Sequence, residues 1–199
     1  MDAVSPRESI EARKTAVRDR LITGRNRRPL AELGEAARAI ADHLLATPEV
    51  RGAATVAAYV SVGTEPGTGP LLEALAAAGR RVLLPVLLPD GDLDWAEYDG
   101  PASLAPARLG LLEPAGPRLG PDAVATADVV VVPALAVDRD GVRLGRGGGS
   151  YDRALARVPV GTFVCAVLYE DELLDEVPHA EHDRPVTAVV TPRGVTRRG

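Results

Sequence analysis

The chain is poor in several residue types that define whole classes of protein. It has one cysteine, Cys165, in 199 residues, which excludes an internal disulfide and a cysteine-rich zinc site. Aromatic residues make up only 3%, too few to supply stacking platforms for single-stranded nucleic acid. The formal net charge of -5 also argues against a nucleic-acid partner. The longest apolar run, Val129 to Val137, contains a proline and falls far short of the roughly 20 residues that cross a bilayer. Charges recur from Arg7 to Arg28, so the N-terminal stretch has no apolar signal core. No membrane and no nucleic acid are therefore expected as partners, and the cytoplasm is the expected location. Lysine is nearly absent: Lys14 is the one lysine among 23 basic side chains. An arginine bias can reflect genome composition. A lone lysine still marks a place where a compact point charge is kept instead of a planar fork.

What is present is typical of a soluble globular chain, with 46% hydrophobic and 26% charged residues. No internal repeat or long linker divides it, so a single domain spanning 1–199 and a monomer are expected. Ser5, Pro6 and Glu8 read as the start of a first helix, with Ile10, Val17 and Leu21 on one face and Gly24 as its stop. Lys14 and Arg18 are four apart and project from that helix together. Pro29 opens a second helix that ends before Pro48. Strands are expected at Ala54–Val60, Val82–Leu88, Leu93–Tyr98, Val129–Val132, Thr162–Leu168 and Val186–Val190, with short helices from Pro70 and from Ser150 to Arg157. Residues 99–121, rich in proline and glycine, read as a long loop. Strands alternating with helices indicate a single-domain three-layer α/β fold of Rossmann-like type, with a mostly parallel sheet and helices on both faces.

The segment from Asp138 to Arg153 carries the strongest chemical signal. Gly145, Gly147, Gly148 and Gly149 follow a fully apolar strand and precede a helix that Ser150 is expected to cap. Consecutive glycines let backbone N–H groups approach a phosphate, and a helix N-terminus adds positive potential. Arg143 and Arg146 can add charge-assisted bonds. The plain alternative is a mobile surface loop with its arginines in solvent. A Walker A motif is absent, because no lysine follows the glycines, and the late position fits a dinucleotide fingerprint poorly.

Taken with Val132-Pro133-Ala134-Leu135-Ala136-Val137-Asp138, the run Gly141-Val142-Arg143-Leu144-Gly145-Arg146-Gly147-Gly148-Gly149-Ser150-Tyr151-Asp152-Arg153 resembles the signature of the 5-formyltetrahydrofolate cyclo-ligase family. Further segments agree in order: Lys14-x-x-x-Arg18, Ala58-Tyr59-Val60-Ser61 with Glu65 and Thr68, Val82 to Val86, Leu111-Leu112-Glu113-Pro114, Val177-Pro178, His182-Asp183 and Pro185-Val186. The resemblance covers most of the chain. It implies ATP-dependent cyclisation of 5-formyltetrahydrofolate to 5,10-methenyltetrahydrofolate, with phosphorylation of the formyl oxygen and attack by N10. By the same resemblance Lys14, Arg18 and Arg143, Leu144, Gly145, Arg146, Gly147, Gly148, Gly149, Ser150 and Tyr151 would hold ATP, with Arg146 and Tyr151 catalytic. Val60 and Glu65 would meet the folate. Asp152 and Asp183 would bind Mg2+. The sequence departs from the family at Gly148 and Ser150, where lysine and tyrosine are usual, and at Thr187, where aspartate is common. Two other readings keep the same scaffold: a non-catalytic folate- or nucleotide-binding protein, and an ATP-dependent ligase for another small molecule.

Other residues read as structural. Cys165 lies in an apolar strand and is expected to be buried and inert. Trp95 is expected to pack in the core. His179 and His182 lack the further ligands that zinc requires.

Overall fold

A computed structural model describes residues 6–178 and 184–198. Five parallel strands form its centre: β1 (Thr55–Ala57), β2 (Arg81–Leu87), β6 (Val129–Pro133), β9 (Phe163–Val167) and β10 (Ala188–Thr191). Antiparallel strands β3 (Leu93–Glu97) and β11 (Gly194–Arg197) close the two edges, giving the order β11-β10-β9-β6-β1-β2-β3. Numbered among themselves, the parallel strands run 2-1-3-4-5. That is a doubly wound order, and its topological switch point lies between β1 and β6.

Period-two alternation along these strands sorts their side chains into two cores. Val56, Val129, Val131, Cys165 and Val167 face one side, with Ile40 and Leu44 of α2 (Leu30–Ala46) and Leu71, Leu72 and Leu75 of α4 (Gly69–Ala77). Ala57, Val130, Val132, Val164 and Ala166 face the other, with Ala154 and Leu155 of α5 (Ser150–Arg157), Val124 and Trp95. Ile40 and Leu44 are fully buried, and each such side chain contributes about 1.5–3 kcal/mol of transfer free energy. The sheet with helices on both faces is thus the expected three-layer arrangement. Cys165 and Trp95 are buried, as expected for packing residues.

Several elements differ from the sequence reading. A short helix α3 (Pro48–Gly52) starts where α2 ends, capped by Thr47, whose Oγ1 accepts from Val50 N at 3.3 Å. The presumed loop 99–121 contains a small hairpin, β4 (Leu104–Pro106) with β5 (Leu112–Pro114). A second hairpin, β7 (Ala136–Val137) with β8 (Arg143–Leu144), stands between β6 and the glycine run. The helix α1 (Pro6–Arg25) packs on neither sheet face. Its Leu21 joins Leu135, Ala136, Leu144 and Val177 in a third cluster, over the C-terminal ends of the strands. Among the described residues no helix is long and apolar enough to cross a membrane.

Candidate active site

The switch point opens into a cleft of about 570 Å³. Its floor comes from the loops that leave β1 (Tyr59, Val60) and β6 (Ala134, Leu135). One wall is cationic, built from α1 and the loop from β8 to α5. The opposite wall is mostly apolar, built from Pro85, Leu87, Leu93 and the β4–β5 hairpin residues Leu109, Leu111 and Leu112, with Glu113 beside them accepting from Leu87 N at 2.9 Å. Leu109 has a left-handed backbone, φ 58°, and Leu109 and Leu112 stay exposed beside the cleft.

Helix α1 delivers its charges by a heptad-like spacing. Glu11, Lys14, Arg18, Leu21 and Arg25 alternate steps of three and four and therefore share a stripe. Glu11, Lys14, Arg18 and Arg25 all line the cleft. Lys14 is nearly buried, and its Nζ lies 3.8 Å from Glu11 Oε1. Arg18 donates from Nε to the Gly145 carbonyl at 3.0 Å and places Nη1 3.7 Å from Glu11 Oε2. The first helix is thereby fastened to the glycine loop itself.

A close side chain and a left-handed backbone explain two of the glycines. A Cβ at Gly145 would lie 2.7 Å from Arg143 Nη1, so a side chain there would displace that guanidinium. Gly149 adopts φ 68° and is the N-cap of α5, which corrects the expectation that Ser150 caps this helix. Ser150 is instead the first helical residue, and no side chain caps the helix. Arg153 holds the loop from behind, donating to Gly91 O at 2.6 Å and Gly148 O at 3.2 Å.

The two loop arginines do different things. Arg143 is buried, and donates to Asp152 Oδ1 at 2.6 Å and to Pro133 O at 3.3 Å. Its charge is paired with a carboxylate, and it lines the same cleft as Arg146. Arg146 is 60% exposed and reaches across the cleft, with Nη2 3.0 Å from Glu65 Oε1. Glu65 is held from its own side, because Oε2 accepts from Val62 N at 2.9 Å. The loop that carries it is fastened at its base by Ser61 and Thr68, each backbone N–H meeting the other's hydroxyl at 3.0 and 3.1 Å. Thr68 Oγ1 donates in turn to Tyr59 O at 2.7 Å.

Tyr151 lines the cleft beside Arg143, whose guanidinium carbon is 5.8 Å from the ring centre. Burial pushes its phenol well above the usual range, with the Arg143 charge pulling the other way, so the hydroxyl stays protonated. Tyr59 is raised in the same way, first by burial and then by the Glu65 charge. The structure therefore brings Lys14, Arg18, Val60, Glu65, Arg143 to Tyr151 and Asp152 around one cleft. Asp183, with His179 and His182, lies outside the described residues. Among the described residues no cluster of three acidic, histidine or cysteine side chains could hold a metal by itself. Thr187 pairs with the Val164 backbone, accepting from its N at 2.9 Å and donating to its O at 3.1 Å, away from these groups.

Sequence reasoning missed Glu11 and a buried pair at the cleft floor. Arg25 donates from Nε and Nη2 to Glu172 at 2.6 and 2.8 Å, and from Nη2 to Ala134 O at 2.6 Å. Glu172 Oε2 also accepts from Tyr169 N at 2.9 Å. The pair joins the end of α1 to the loops after β6 and β9. Burial pulls the Arg25 guanidinium down, but the hydrogen bond and charge of Glu172 outweigh it and leave the net direction upward. Burial pushes the Glu172 carboxyl up against the pull of Arg25. The two-pronged contact is charge-assisted. The sequence signal was the α1 stripe, which ends on Arg25.

A doubly wound sheet with a cationic, glycine-rich wall facing a carboxylate and an apolar wall across its switch point defines an α/β protein of the ligand-binding class. The sequence pattern of one family, the 5-formyltetrahydrofolate cyclo-ligase family, matches residues 10–192. The chain is 49% identical over 144 residues to a 5-formyltetrahydrofolate cyclo-ligase of Mycolicibacterium smegmatis, covering 70% of this chain and 74% of that protein. It is 37% identical over 172 residues to the Escherichia coli 5-formyltetrahydrofolate cyclo-ligase, covering 82% and 90%. The NMR structure of Aquifex aeolicus 5,10-methenyltetrahydrofolate synthetase matches with a TM-score of 0.78 at 28% identity, over 92% of each chain. The chain belongs to the 5-formyltetrahydrofolate cyclo-ligase family.

Proposed function

We propose that this protein is a cyclo-ligase that converts 5-formyltetrahydrofolate and ATP to 5,10-methenyltetrahydrofolate, ADP and phosphate, acting as a cytoplasmic single-domain monomer. The observation that carries the reading is the two-sided cleft at the switch point, in a chain of this family. Its cationic wall suits a triphosphate. Its apolar wall suits the rings of a folate, with Glu65 placed to accept N–H donors and Val60 beside it.

The formyl oxygen is a poor leaving group until it is phosphorylated. Transfer of the γ-phosphoryl to it gives an iminophosphate. N10 then attacks the formyl carbon and gives up its proton, the C–O bond breaks, and the oxygen departs as part of phosphate, which can carry that proton away. Such a reaction needs positioning and charge stabilisation more than a protein nucleophile. Lys14, Arg18 and Arg146 supply positive charge, and the backbone of Gly145 to Ser150 supplies N–H donors. Tyr151 supplies a protonated hydroxyl that can donate but not act as a base. Arg143 orients Asp152.

The described member of the donor set, Asp152, suits Mg2+. Asp152 offers a hard carboxylate on the cleft wall beside the glycine loop, and magnesium commonly takes one or two carboxylates together with phosphates and water. Asp152 and Asp183 would hold the ion, which would neutralise phosphate charge. The test is methenyl formation, followed by absorbance, with Mg-ATP present or omitted. Product that depends on both substrates and on Mg2+ is expected. Tight binding of both substrates without product would leave a non-catalytic binding protein.

A further inference from the structure

The two loops facing each other across the cleft are joined by one ion pair, and the function proposed above sends its two halves to different ligands. Arg146 turns Nη2 and Nε toward Glu65 Oε1, at 3.0 and 3.2 Å. Glu65 is 10% exposed, and its other oxygen is already engaged by Val62 N. A phosphate that recruits the Nε–Nη2 edge of Arg146 must draw it away from Glu65. An organic ligand that donates an N–H to Oε1 must displace the same edge.

We propose that the Arg146–Glu65 pair is a latch that couples the binding of the two substrates. Each substrate alone must open the latch. The two together open it only once. The second substrate therefore binds more tightly than it does to the free protein, and by thermodynamic linkage the factor is the same in either order. Opening by one substrate alone also leaves a charge unmatched: a carboxylate nine-tenths buried in one case, a guanidinium in the other. A pair with one exposed and one buried partner makes the coupling a factor of about five to ten. The half-filled site that holds ATP without its acceptor is thereby disfavoured, which limits loss of ATP to water.

The inference rests on the assignment of ATP to the glycine loop and folate to the Glu65 loop. The test is calorimetric titration with the β,γ-imido analogue of ATP and Mg2+, with and without saturating 5-formyltetrahydrofolate. The parent protein is compared with Arg146→Ala, Arg146→Lys and Glu65→Gln. Folate tightens the analogue about five- to tenfold in the parent, and the analogue tightens folate by the same factor. The factor falls to near one in Arg146→Ala and Glu65→Gln, each variant weakening the ligand whose contact it removes while sparing the other ligand the cost of opening the pair, and Arg146→Lys restores part of it. A factor of one in the parent protein, or an undiminished factor in both neutralising variants, overturns the latch. If the parent binds only one ligand or neither, the proposed function falls and the latch with it. If the parent turns over but shows no coupling, only the latch falls.

Discussion

Neutralising Glu172 tests the cleft floor where the structure is most demanding. Arg25 is 3% exposed and Glu172 1%, and the guanidinium spends two nitrogens on that carboxylate. In Glu172→Gln the amide oxygen can still accept from Tyr169 N, but its NH2 group then faces the Arg25 donors. A buried guanidinium left without its counter-charge costs about 3–5 kcal/mol. For a domain whose net stability is about 5–15 kcal/mol, that is a large fraction. Arg25→Met leaves the same deficit from the other side and also strips the donor from Ala134 O, worth about 1–3 kcal/mol. The double variant Arg25→Met, Glu172→Gln removes both charges and leaves the Ala134 carbonyl without its donor. Its cost should therefore resemble that of one single variant, with a coupling of about 2 kcal/mol or more relative to additivity. Urea unfolding at constant pH, with all four proteins compared at equal m-value, measures each step. Single-variant costs below about 1 kcal/mol, or a double variant equal to the sum of the singles, would refute the reasoning.

Three further outcomes follow from the geometry. Lys14→Ala should raise the KM for ATP about tenfold with the fold intact, and Lys14→Arg should recover only part, because a planar fork replaces a compact charge; unchanged ATP kinetics in both variants would remove Lys14 from the site. Gly145→Ala forces Arg143 away from Asp152, since the added Cβ would meet Nη1 at 2.7 Å. The Mg2+ concentration for half-maximal rate should rise several-fold while stability falls by only about 1 kcal/mol, because the obstructing group is the end of a side chain; an unchanged Mg2+ dependence contradicts the link through Arg143. Arg157 grips Asp92 with bonds of 2.9 and 2.6 Å, and those bonds hold its carboxyl below the ordinary 3.8, against burial. A depressed native pKa gives stability that is present above the unfolded value and lost as pH falls below about 4. Asp92→Asn should cost about 1 kcal/mol at neutral pH, and thermal unfolding should show the gap to the parent closing toward about pH 3.

The parallel strands were legible because buried strands must be apolar throughout. Val129 to Val132 and Thr162 to Leu168 show this directly, and the bounds moved by a residue or two, except that the first strand ends at Ala57 and not at Val60. The β7–β8 hairpin was not legible, since two-residue strands establish no period. The β4–β5 hairpin was concealed by the prolines and glycines around it. Gly149 replaced Ser150 as the cap because the chain enters α5 through a left-handed turn, which outranks the serine's local preference. Of the cleft, the glycine run, Lys14, Arg18 and Glu65 could be named from sequence. Their contacts could not, because Arg146 meets Glu65 across 81 positions and Arg25 meets Glu172 across 147. Charges that distant carry no local pattern. Only the α1 stripe hinted that one face of a highly charged helix turns inward.

The central claim is that ATP activates the formyl oxygen in this cleft. The most direct measurement supplies 5-formyltetrahydrofolate labelled with heavy oxygen in the formyl group, together with unlabelled Mg-ATP, and follows the label by mass spectrometry of the released phosphate. The account predicts one labelled oxygen in phosphate for each methenyltetrahydrofolate and each ADP formed. Methenyl product accompanied by unlabelled phosphate, with the label released as water, would contradict it.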